Sequence, residues 1–96
     1  MQQLAGYPLT GAPSAVQFIE MLYNALVEWY NAHRETKITL ENVFVVWACK
    51  TLQNYKALLS TTVAGDGIYA EYTYNGDKQE LYEDVYGKLT NRCIKR

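Results

Sequence analysis

The chain has 96 residues, 49% of them hydrophobic and 20% charged, and its net charge is −1. That length holds one hydrophobic core and not two, and the apolar fraction excludes a disordered chain. The near-zero charge argues against a protein that works mainly by neutralising phosphate.

Residues 1–12 carry Gly6, Pro8 and Gly11 without periodicity and read as an irregular N-terminal arm, with Leu4, Tyr7 and Leu9 available for packing. Residues 13–96 read as a single α+β domain. Over 13–33, Ile19, Leu22, Tyr23, Leu26, Trp29 and Tyr30 recur at three- and four-residue steps, the stripe of an amphipathic helix. Pro13 suits its first turn, where a missing N–H is no loss. Phe18, Met21 and Ala25 widen the stripe, so part of this face is available to a second copy in a homodimer. A polar connection follows at 34–42, with one helical turn opened by Thr39.

At 43–52 two periods compete. Leu40, Val43, Phe44, Trp47, Thr51, Leu52 and Tyr55 fit a helix, while Val43-Phe-Val-Val-Trp47 has the β-branched and aromatic side chains that suit a pleated surface. The strand reading is preferred. Gln53-Asn54 is then the turn and 55–62 the second strand. Val63 to Gly67 is a loop, and 68–74 is a third strand, with Ile68, Ala70, Tyr72 and Tyr74 on one face and Tyr69, Glu71 and Thr73 on the other. After Asn75-Gly76, Asp77 with Glu80 three residues on has the spacing of a capping box, and Leu81, Tyr82, Val85, Leu89 and Cys93 continue at helical spacing. The expected architecture is a helix, a three-stranded antiparallel meander and a second helix.

Catalytic chemistry finds little support in the residues. His33, the single histidine, needs no role beyond favouring the end of the first helix. Cys49 and Cys93 lack metal or redox spacing and read as buried, reduced thiols. Glu80, Glu83 and Asp84 read as a cap and a solvated face, so no metal site is expected. Gly65-Asp66-Gly67 lacks the length and the Lys-Ser/Thr of a phosphate loop. No run is long and apolar enough for a membrane span, and no cofactor is expected.

Tyrosine is the unusual count, at nine. One reading makes the tyrosines the rim of a small core, ring inside and hydroxyl outside. The other makes them a recognition surface, because tyrosine offers large contact area with little rotamer entropy to lose. The candidate binding residues are Trp47, Lys50, Gln53, Asn54, Tyr55, Lys56, Tyr69, Tyr72 and Tyr74. The aromatics would anchor a partner, and the amides and lysines would orient it.

Lys50-Thr-Leu-Gln-Asn54, Lys56-Ala-Leu-Leu-Ser60 and Tyr72-Thr-Tyr-Asn-Gly-Asp77 resemble a family of small proteins encoded by phages and prophages and catalogued as a domain of unknown function. The similarity spans residues 36–94. It implies a viral or integrated-element origin and action in the cytoplasm of a bacterial host, and it carries no catalytic residues to transfer. The expected function is a non-enzymatic binding module that engages a host or viral protein, in counter-defence or host takeover. The alternatives are a small-ligand protein that sequesters a nucleotide signal and, less favoured, a weak nucleic-acid binder using Lys88, Arg92, Lys95 and Arg96.

Overall fold

The computed structural model describes residues 2–3 and 14–95. The expected irregular arm of 1–12, apart from Gln2–Gln3, lies outside the described residues, as does Pro13. Gln2–Gln3 form a short strand, β1. Among the described residues one α-helix, α1, spans Ala15–His33, and a 3-10 turn spans Leu40–Asn42. Four longer strands follow: β2 (Val43–Thr51), β3 (Asn54–Thr61), β4 (Ile68–Asn75) and β5 (Glu80–Gly87). The sheet is antiparallel throughout, in the order β1-β5-β4-β3-β2.

Ser14 starts α1. Its hydroxyl accepts from the Gln17 amide at 3.1 Å, and the Gln17 side chain accepts from the Ser14 amide at 2.9 Å. The two bonds satisfy two otherwise orphan donors at once. The helix stops where Arg34 turns extended, its amide still donating to the Tyr30 carbonyl. Asn31 then ties down the connection: its side chain accepts from the Ile38 amide at 2.8 Å and donates to the Ile38 carbonyl at 3.0 Å. The turn expected at Thr39 is present, with the Thr39 amide donating to Asn42 Oδ1 at 2.9 Å.

The buried stripe of α1 is Phe18, Met21, Leu22, Ala25, Leu26 and Tyr30. Ile19, Tyr23 and Trp29, expected at its centre, are half-buried flanks. The sheet accounts for the width of this apolar face: α1 covers Tyr55, Ala57, Leu59, Ile68, Ala70, Tyr72, Tyr74 and Leu81, all buried. Burying Leu59, Ile68 and Leu81 contributes about 1.5–3 kcal/mol each. At one end the rings of Phe18, Tyr55 and Tyr74 cluster, with Phe18 4.5 Å from Tyr55 and 6.2 Å from Tyr74.

The strand reading of 43–74 is correct, with shifted turns. The β2–β3 hairpin turns at Leu52-Gln53, with Leu52 in the left-handed region (φ 57°), and Asn54 opens β3. The second helix expected from Asp77 onward is a correction: Glu80–Gly87 is a fourth strand paired along β4. Asn75 Oδ1 accepts from the Asp77 and Lys78 amides, so the apparent cap is a turn. Leu81, Glu83 and Val85 then alternate with Tyr82, Asp84 and Tyr86 in period two. Glu83 sits on the core side of that alternation and hides it. It is tolerated there because Tyr72, directly opposite on β4, donates to its carboxylate at 2.5 Å. Residues 88–95 form no regular structure and are exposed throughout. Cys49 and Cys93, expected to be buried, are both free and exposed.

Candidate functional site: the open face of the sheet

A single helix covers a single face. The opposite face of the meander presents Phe44, Trp47 and Cys49 from β2, then Lys56 and Leu58 from β3. Tyr69, Glu71 and Thr73 follow from β4, and Tyr82, Asp84 and Tyr86 from β5. Cross-strand register sets these residues in rows. Phe44 lies opposite Ser60, Ser60 opposite Tyr69, and Tyr69 opposite Tyr86. Trp47 lies opposite Leu58, Leu58 opposite Glu71, and Glu71 opposite Asp84. The aromatics are open to solvent: Phe44 42%, Trp47 42%, Tyr69 39% and Tyr86 53%. A β-bulge between Val45 and Trp47 places Val46, 45% exposed, next to Trp47 and enlarges the apolar area at this edge.

Charge on this face is mostly negative. Glu71 and Asp84 face each other across β4 and β5, and Glu80 lies two rows along β5, beyond Tyr82. Lys56 Nζ lies 3.6 Å from Glu71 Oε1. Tyr82 donates to Glu80, and that bond together with burial raises the phenol above its usual range. Like charges directly opposite on a sheet are destabilising. The row of rings therefore borders the Glu71–Asp84 row, in which Lys56 matches one of the two acids.

The nine expected binding residues divide between the two faces. Trp47, Lys56 and Tyr69 lie on the open face. Tyr55, Tyr72 and Tyr74 belong to the core, at 6%, 0% and 0% exposure. The Tyr74 hydroxyl is buried and has no hydrogen-bond partner among the described residues, and burial first, then Tyr55, raises its pKa. Lys50 lies over the Tyr55 ring, 5.3 Å from its centroid. Gln53 and Asn54 serve the fold: Asn54 Oδ1 accepts from the Gly76 amide at 3.1 Å, and the Gln53 carbonyl packs against Gly76. Phe44, Glu71, Asp84 and Tyr86 were missed as site residues. Period-two alternation was the signal, and the helical reading of 77–96 obscured it for Asp84 and Tyr86.

A polar cleft of about 470 Å³ lies at the other end of the molecule, lined by Tyr30, His33, Arg34, Gly65 and Asp66 among others. Its charges are paired internally. Arg34 bridges to Asp66, whose other oxygen, Oδ2, is buried and has no hydrogen-bond partner among the described residues. Burial pushes the Asp66 carboxyl up, but Arg34 and the neighbouring Tyr30 hydroxyl outweigh it and hold it below its usual value. His33 stacks on Trp29 at 4.7 Å and bonds the Trp29 carbonyl at 2.8 Å, the helix-end role expected of it. Among the described residues, no three His, Cys, Asp or Glu side chains converge as a metal site, and no helix is long and apolar enough to cross a membrane.

One helix against an antiparallel meander, with no described element on the far face, defines a small α+β domain. The chain belongs to a family of unknown function, DUF6275, whose family model matches residues 15–96. That span begins at the helix and so reaches beyond the 36–94 marked by the sequence motifs. No curated protein and no solved structure matches the chain.

Proposed function

We propose that this protein is a non-enzymatic binding module whose open sheet face engages another protein. The observation that carries the reading is the exposure of Phe44, Trp47, Tyr69 and Tyr86 together on one face of a sheet whose other face is fully occupied. Isolated exposed apolar residues are ordinary, but four part-exposed aromatics sharing one sheet face in so small a domain are the composition of an interface centre. Tryptophan and tyrosine dominate the energetics of such centres.

The motifs at 50–60 and 72–77 resemble those of phage- and prophage-encoded proteins. On that basis the protein acts in the bacterial cytoplasm, against a host or viral protein, by stoichiometric capture in counter-defence or host takeover. The test is affinity capture from bacterial lysate with the parent and with Trp47→Ala, Tyr69→Ala and Val16→Ala. Val16 is 67% exposed on the helix, away from the sheet face. A specific partner should be retained by Val16→Ala and lost, at unchanged circular dichroism, by the two sheet-face variants. Equal capture by all four proteins would defeat the proposal.

A further inference from the structure

Residues 88–95 leave the end of β5 as an exposed segment. Lys88 is held where the segment begins: its amide donates to the Gly67 carbonyl at 2.9 Å, and its side chain occupies the space a Cβ on Gly67 would need. Beyond it, Leu89 is 100% exposed and Ile94 is 54% exposed. The sequence from Lys88 to Arg96 holds four cations and no acid, in a chain whose net charge is −1. The acidic excess therefore lies in the rest of the chain, and Glu71 and Asp84 of the open face are part of it.

We infer that this basic segment of one copy docks on the open sheet face of a second copy. Arg92 and Lys95 would meet the Glu71–Asp84 row, and Leu89 and Ile94 would pack among Phe44, Trp47, Tyr69 and Tyr86. The inference rests on the open face being the contact surface and adds its regulation: self-association covers the patch that captures a partner. Charge complementarity selects the occupant, because the segment interleaves cations with aliphatic side chains and the face interleaves acids with rings. Length permits it. Eight extended residues reach about 26 Å, and four strands at roughly 4.8 Å spacing span about 14 Å. Reciprocal docking about a two-fold axis closes the assembly as a dimer.

The test is sedimentation of the full chain at high micromolar concentration, beside a chain ending at Lys88 and the full-length double variant Arg92→Glu/Lys95→Glu. The full chain should sediment at twice the monomer mass, weakening as salt rises, and both variants at the monomer mass. Adding Glu71→Lys to the double variant should restore the doubled mass. If the shortened chain fails to fold, the double variant reads the same quantity. A monomeric full chain, or a dimer that persists in the double variant, overturns segment docking and leaves partner capture by the face standing. Capture that survives Trp47→Ala while the dimer forms as described removes the proposed function alone.

Discussion

Gly76→Ala should be among the most damaging single-methyl changes in this protein. A Cβ on Gly76 would lie 2.1 Å from the Gln53 carbonyl oxygen and 2.6 Å from the Gln53 Cβ. An ordinary carbon–oxygen contact needs about 3.3 Å, so the two turns must part by about 1 Å. The obstacle is backbone and cannot rotate away. Overpacking of this kind costs about 1–3 kcal/mol. Parting the turns also stretches the Gly76–Asn54 hydrogen bond, worth about 0.5–1.5 kcal/mol. The reduced chain entropy of alanine returns about 0.5–1 kcal/mol, which leaves a net loss centred on about 2 kcal/mol. In a domain of this size that lowers Tm by roughly 8–16 °C. Urea and thermal unfolding followed by circular dichroism measure it. Gly87→Ala is the control, since nothing lies within 4 Å of its added Cβ, and it should stay within about 0.5 kcal/mol of the parent. A Gly76→Ala protein as stable as Gly87→Ala would refute the steric argument.

Other outcomes follow from the core. Burial holds the Glu83 carboxyl above its usual range, and Tyr72 only partly offsets this. The folded state therefore favours the protonated acid, and the stability it contributes is present below the unfolded value of about 4.3 and lost as pH rises through the raised folded value. Glu83→Gln keeps an acceptor for Tyr72 and removes that loss. Its stability relative to the parent should be greater at neutral pH than in acid, and a pH-independent difference in urea midpoints would exclude the mechanism. Leu22 is wholly buried between helix and sheet, and Leu22→Ala should cost about 2–5 kcal/mol in the same assay. A cost below that range would mean the site collapses freely around the lost methyls.

Much of the fold was legible because local pattern and global burial agreed. The helix announced itself through its period. In 68–74 each residue on the alternating inner face is one the core buries, so the strand and its orientation were both readable. The final strand was not. Glu83 interrupts the apolar alternation, and its acceptability depends on Tyr72, a contact eleven residues away that spacing cannot reveal. Asp77 and Glu80 mimic a helix start while Asn75 makes the turn that supersedes it. The site was half legible for the same reason. Tyrosine count pointed to recognition, but Tyr69 and Tyr72 differ by odd parity along one strand, and parity decides which ring is buried and which meets solvent. Family membership covers 15–96 without adding a role for any residue.

Each of the four long strands pairs with the strand next to it in sequence, so most of the sheet assembles from chain neighbours. Such short-range pairing shortens the conformational search and places assembly of the helix and meander in roughly the millisecond range. Among the described strands, β1 differs: Gln2 and Gln3 must find Glu83 and Tyr82, a partner strand far along the chain. Closing the long loop between them and β5 costs more chain entropy than closing a hairpin turn, so this pairing is rewarded later than the pairings of the meander.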